Sequence, residues 1–251
     1  MKILLAFLGL ILVFSRETTA QNSNLKADSS LRVLLVQPSD SNLVKALNNL
    51  GVQYELSDSA FAEKVYLKAL SLSKQLKNPK LECKSLTNLG ILYKTYNNLP
   101  VAGRYQQLNL SVAEKAGLVL EKGKALVNLG NVYNAGNQNS KALATYLKAV
   151  TYLEKAGDQR ALSLTLGNIA HLYSDQSEYQ ISLKYAAQAL EAGMRCGNAN
   201  AIGSAYHNAS YSLFHLNLLD SSYGQTMRAI PYLKQAGNSA NLQAMYVNAA
   251  S

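Results

Sequence analysis

An asparagine returns along this sequence at nearly constant spacing. It stands at Asn49, Asn88, Asn128, Asn168, Asn208 and Asn248, in steps of 39, 40, 40, 40 and 40 residues. Its surroundings keep phase. A large apolar residue lies two before it: Leu47, Leu86, Leu126, Leu166, Tyr206, Tyr246. A small residue lies two after it: Gly51, Gly90, Gly130, Ala170, Ser210, Ala250. Three further on comes Tyr54, Tyr93, Tyr133 or Tyr173, and in the fifth occurrence Leu213. Self-similarity at a period of about 20–50 residues marks a chain built by stacking one supersecondary unit on itself. It also explains how 251 residues fold without a single large core, which chains of that size seldom build.

The unit is helical. Leu126, Leu129, Gly130 and Tyr133 fall at i, i+3, i+4 and i+7, one face of an α-helix. The small residue lets a second helix approach closely, and the tyrosine closes over that contact. The second helix carries Ala62-Tyr66-Ala69, Ala142-Tyr146-Ala149, Ser182-Ala186-Ala189 and Ser222-Thr226-Ala229, again at i, i+4 and i+7. Most second helices run out at a glycine, Gly117, Gly157, Gly197 or Gly237, the residue that accepts the left-handed conformation of a helix stop. The first repeat has Asn78 there, followed by Pro79. Turn residues such as 134–139 (Asn-Ala-Gly-Asn-Gln-Asn) separate the two helices of a repeat. Only 4 prolines and 15 glycines interrupt a chain rich in helix formers. The expectation is at least ten α-helices in antiparallel pairs over residues 43–251, with no strand.

The segment Asn128-Leu129-Gly130-Asn131-Val132-Tyr133, followed by Ala142, Tyr146 and Ala149, resembles the tetratricopeptide repeat (TPR) family. The resemblance covers residues 43–251, about five and a half repeats, the last incomplete. The standard TPR unit is about 34 residues, so a 40-residue unit implies longer helices. The family resemblance implies an all-α, right-handed α-solenoid of antiparallel helix pairs that binds protein or peptide partners. The long unit, and the stretch from Asp28 to Leu35 before the first repeat, resemble the exported sensor regions of TPR-containing histidine kinases and regulators.

Residues 1–20 have the form of a signal peptide: Lys2, an apolar run from Ile3 to Phe14, then Thr18-Thr19-Ala20. The run is shorter than the ~20 residues a spanning helix needs. Export to the periplasm or cell envelope is therefore expected. Residues 21–42 are expected to be a linker or short capping helix. Membrane contact would come only from an uncleaved leader or a segment beyond Ser251. Loss of the leader takes the net charge from +9 to +8. A local excess of lysine (Lys64, Lys68, Lys74, Lys77, Lys80, Lys84) is expected to be a solvated face, and no nucleic-acid reading motif is present.

No catalytic signature appears: no Gly-x-Ser-x-Gly, no phosphate-binding loop, no HExxH and no paired CxxC. A non-enzyme without cofactor or metal is expected. Cys83 and Cys196 lie almost three repeats apart, too far for a bridge in a solenoid. Cys196 occupies the place of Ala116, Ala156 and Ala236 and is expected to be a small buried filler. The glycosylation-like triplets at Asn109 and Asn208 are expected to be chance matches. The recurring asparagine is expected to hold the helix pair together by side-chain hydrogen bonds.

Function must then come from surface. As the TPR resemblance implies, the first helix of each pair lines the concave side, where partners lie. That places Lys84, Thr87, Ile91, Lys94 and Thr95 there in the second repeat, and Lys124, Val127, Asn131, Asn134 and Ala135 in the third. It adds Leu164, Gly167, His171, Ser174 and Asp175 in the fourth, and Ser204, His207, Tyr211, Phe214 and His215 in the fifth. The candidate partner-binding groove is Lys84, Lys94, Lys124, Asn131, Asn134, His171, His207, Tyr211, Phe214 and His215. Asparagines suit a peptide backbone, lysines a carboxylate, and aromatic rings an apolar anchor. Two roles fit: a protein- or peptide-binding scaffold of the envelope, or the ligand-sensing part of a two-component signalling protein whose output domain lies elsewhere. The sixth first helix stops short of its tyrosine, leaving Tyr246 and Ala250 expected at an uncapped end open to association.

Overall fold

The computed structural model describes residues 29–250, with side chains to residue 245. The expected leader at 1–20, residues 21–28 of the expected linker, and the side chains of Tyr246, Asn248 and Ala250 lie outside the described residues. Twelve helices and no strand are present among those described. They are α1 (residues 29–35), α2 (Ser41–Tyr54), α3 (Ser59–Gln75), α4 (Pro79–Thr95), α5 (Leu99–Lys115) and α6 (Val119–Ala135). Then follow α7 (Asn139–Ala156), α8 (Gln159–Asp175), α9 (Tyr179–Cys196), α10 (Ala199–His215), α11 (Leu219–Ala236) and α12 (Ser239–Ala250). The chain divides into two compact units at Tyr105 and Gln106, within α5.

Helix starts and stops follow from local chemistry. Aspartates 40, 58 and 158 and asparagines 78, 198 and 238 each accept a backbone N–H of the following first turn, at 2.8 to 3.2 Å. At the far ends, Gly117, Gly157, Gly197 and Gly237 sit at φ +66°, +72°, +62° and +65°. The first repeat departs from expectation. Lys77, at φ +50°, takes the left-handed place there, and Asn78 caps α4 with Pro79 in its first turn. Asn97, Asn137, Ser177 and Asn217 are left-handed in the turns within the pairs.

In the first unit, the core joins Leu31 of α1 to Leu43, Val44, Leu47 and Leu50 of α2, and to Phe61, Val65, Ala69 and Leu72 of α3. The ring of Tyr66 lies flat on Gly51. A Cβ on Gly51 would stand 2.3 Å from Tyr66 Cε1. The Tyr66 hydroxyl donates to the Glu55 carboxylate, and burial together with that bond pushes the phenol up. Tyr93 donates to Glu63, stacks on Tyr105 with centroids 5.6 Å apart, and is pushed up to about 12 by the Glu63 bond and burial. The six lysines from 64 to 84 are exposed, as a solvated face requires.

The second unit repeats the arrangement with different residues. Tyr146 lies on Gly130, and Leu153 lies on Gly123. Where Gly gives way to Ala170, the partner position becomes Ala186, both buried. Where it becomes Ser210, the partner is Thr226, and the hydroxyls meet at 2.6 Å. Tyr173 stacks on Tyr185 at 5.5 Å. Burying one leucine such as Leu153 is worth about 1.5–3 kcal/mol, against roughly 0–1 for an exposed ion pair such as Arg195–Glu191. Packing therefore carries the fold.

Two expectations are corrected. The recurring asparagine bonds first helix to first helix, not the two helices of one pair. Asn88 Nδ2 donates to Asn48 Oδ1 at 2.9 Å, Asn168 Nδ2 to Asn131 Oδ1 at 3.2 Å, and Asn208 Nδ2 to the Gly167 carbonyl at 2.9 Å. In the first repeat the bonding residue is Asn48; Asn49 is exposed. Cys196 is exposed, because it closes the last turn of α9 beside Gly197, where Ala116, Ala156 and Ala236 are exposed too. Neither cysteine is in a disulfide. Asn109 is buried and Asn208 is bonded within the fold, so neither presents a free carboxamide for glycan.

Candidate functional site

In the second unit α8, α10 and α12, the first helices of successive pairs, pack in sequence. Between them runs a groove of about 550 Å³. The repeat register aims one stripe of each helix into it. From α8 come Leu164, Gly167, Asn168, His171, Ser174 and Asp175; from α10 come Asn200, Ser204, His207, Asn208 and Tyr211; from α12 come Asn241 and Ala244. Gly167 is open: a Cβ there meets only Asn208 Nδ2, at 3.7 Å.

The floor is made of carboxamides. Their NH₂ groups donate within the framework: Asn208 to Gly167, Asn168 to Asn131, and Asn241 to Ser204 Oγ at 3.3 Å. Those bonds fix the amide orientation. His207, half-buried beside Asn208, is pulled below its ordinary value by burial and by His171, against an Asn208 bond that raises it. His171 Nδ1 lies 3.2 Å from Asp175 Oδ1, and both are exposed.

Beyond Tyr211 the groove wall becomes aromatic. The His215 ring stacks on Tyr179 (4.9 Å, 4°), lies 4.5 Å from Tyr211, and meets Phe214 edge-on at 5.6 Å. Tyr211 and Phe214 are 39% and 44% exposed, so neither ring is spent on the core.

Of the ten expected site residues, the groove takes His171, His207 and Tyr211, with Phe214 and His215 adjoining through ring contacts. Lys124 instead pairs with Asp158 at 3.1 Å. Asn131 accepts the Tyr146 hydroxyl at 2.7 Å, and Asn134 is half-buried near the end of α6. Lys84 and Lys94 belong to α4 in the first unit. Asn168 and Asn208, expected only to hold helices together, also line the groove. Asn200 and Asn241, outside the predicted stripes, join the lining from the first turns of α10 and α12. Among the described residues, no group of three or more His, Cys, Asp and Glu is placed to hold a metal.

The sequence matches no family model and no curated protein. Solved structures do match. The apo form of the quorum sensor NprR from B. thuringiensis superposes with TM-score 0.68 at 16% identity, over 94% of this chain and 66% of that one. Kinesin light chain TPR-like repeats from Podosopora anserina give 0.60 at 11% identity, over 78% and 96%. The fold is that of a TPR-like repeat protein. A Rap protein complexed with Competence and Sporulation Factor gives 0.56 at 11% identity, over 82% and 62%. This TPR-like chain thus spans about two thirds or less of the NprR and Rap chains. No helix among its described residues is long and apolar enough to cross a membrane.

Proposed function

We propose that this TPR-like protein is a non-catalytic scaffold that holds a peptide or protein segment in the α8–α10–α12 groove. The observation that carries the proposal is the open groove with oriented carboxamides on its floor, bordered by exposed rings. Carboxamides match the alternating donors and acceptors of a peptide backbone, and exposed aromatics anchor side chains. The likeness to a Rap protein solved with a bound factor supports the same use of the fold. The likeness to a quorum sensor favours a sensing role, in which the bound segment is a signal passed to an output domain. The leader at 1–20 supports work in the periplasm or cell envelope, which fractionation of the tagged protein would test.

Gly167→Leu tests the groove. A Cβ there meets only Asn208 Nδ2, at an ordinary 3.7 Å, and the position lines the groove. Leucine also favours helix over glycine by roughly 1 kcal/mol. The variant should keep its circular dichroism spectrum and lose its bound segment. Undiminished capture of every ligand found with the wild type would place binding elsewhere.

A further inference from the structure

The groove is sharply biased in charge. The whole protein carries 24 Lys and Arg against 15 Asp and Glu. Yet among the described residues no Lys or Arg lines the groove, and Asp175 is the one carboxylate. Asp175 is the last residue of α8, and His215, one repeat on, is the last of α10. Two helix C-termini therefore end at this wall, and their macrodipoles add partial negative charge there. The α8 end has no basic residue in its last turn to neutralise it. The exposed rings of Tyr211 and Phe214, beside His215, add the negative faces of their π-systems, while the Tyr179 ring is stacked on His215.

The geometry points to a cation subsite at this end of the groove, in which Asp175 and the exposed rings of Tyr211 and Phe214 receive a guanidinium or ammonium group from a side chain of the bound peptide. The inference rests on the peptide-binding reading and gives it a chemical class. Carboxylate, helix ends and π-faces all favour positive charge; Asp175 lies 3.2 Å from His171 Nδ1, both side chains exposed, so an incoming cation shares the carboxylate with that imidazole. The lysines expected to clamp an acidic group are engaged with Asp158 or lie in the first unit. A neutral apolar anchor would use the rings but gain nothing from Asp175.

The test pans a random peptide library against the full chain near neutral pH. Enriched peptides are synthesised and titrated against wild type, Gly167→Leu, Asp175→Asn and Tyr211→Ala. The expected peptides carry Arg or Lys and lose affinity on Gly167→Leu. Acetylating the lysine, or replacing arginine by citrulline, should weaken binding by about tenfold or more, the scale of a charge-assisted contact. Asp175→Asn should cost the native peptide as much and the neutralised peptide almost nothing, since one interaction cannot be lost twice. Tyr211→Ala should also weaken the native peptide more than the neutralised one. Asp175 is exposed, so the melting temperature should stay put. Groove-dependent peptides indifferent to neutralisation and to Asp175→Asn would overturn the cation subsite while leaving the groove reading intact. If no peptide is sensitive to Gly167→Leu, both fall. Arginine methyl ester or tetramethylammonium bound as tightly as the peptides would assign the site to a small cation and overturn the peptide source.

Discussion

Gly130 and Tyr146 divide one volume between them. A Cβ on Gly130 would stand 2.5 Å from Tyr146 Cε1, so the glycine is required by its neighbour and not by its backbone. Gly130→Leu should cost about 1–3 kcal/mol or more through overpacking. Tyr146→Ala should cost about 3–5 kcal/mol through the cavity it leaves. Because both act on the same space, the double variant should lose clearly less than the sum, which urea denaturation of all three proteins would show. Strict additivity would mean that the ring does not rest on the glycine. The small residue and the tyrosine were legible separately, because each recurs in phase. Their pairing was not, since in the fifth repeat it is rebuilt from Ser210, Ser222 and Thr226 hydroxyls, which carry no apolar signal. In α5 the same slot holds Gln106 and Asn109, both buried, and no hydrophobic period marks it.

At the scale of the element, the helices are punctuated by left-handed residues, and the choice of residue varies. Four second helices stop at glycine, while α3 stops at Lys77, at φ +50°. An L-residue pays about 1–2 kcal/mol for that conformation and lysine has no polar head close enough to its backbone to compensate. Lys77→Gly should therefore stabilise the first unit by up to about 1 kcal/mol after the entropy lost by glycine is subtracted. Gly157→Ala is the mirror experiment. A Cβ there meets nothing within 4 Å, so its cost, about 1 kcal/mol, is pure backbone strain. Melting curves of the two variants should move in opposite directions. These boundaries were readable wherever glycine marked them. At Asn78 the stop lies one residue earlier than the sequence predicts, because an asparagine serves equally well as left-handed stop or as N-cap, and only the bond from Leu81 N decides between them.

For the whole molecule, sequence phase located the groove wall but not its chemistry. The stripe through Leu164, Gly167, His171 and Asp175 was readable from 3.6-residue geometry. That Lys124 would spend its charge on Asp158, and that Tyr179 would reach across to His215, depends on contacts between repeats that no local pattern reports. The same distribution makes the response to acid uneven along the chain. All three histidines, 171, 207 and 215, fall in the second unit. His207 is held below its ordinary value in the folded protein by burial and by its neighbour His171. The unfolded chain therefore binds the proton more readily, and stability is full above the unfolded value of about 6.5 and falls as pH drops below it. Asp158 is shifted down as well: burial opposes the shift, but the Ala161 N–H and Lys124 outweigh it. Its contribution is present above the ordinary carboxylate range and is lost only as pH falls through a lower folded value, so the two groups act in separate windows. Hydrogen exchange followed by mass spectrometry at about pH 7.5 and pH 5.5, which brackets the histidine window, should show loosening confined to α8–α11, with α2–α4 unchanged. His207→Gln keeps a polar group beside Asn208 without the titration and should remove most of that difference. Equal loosening in both units, or an undiminished pH effect in the variant, would show that His207 does not set the acid sensitivity of the fold.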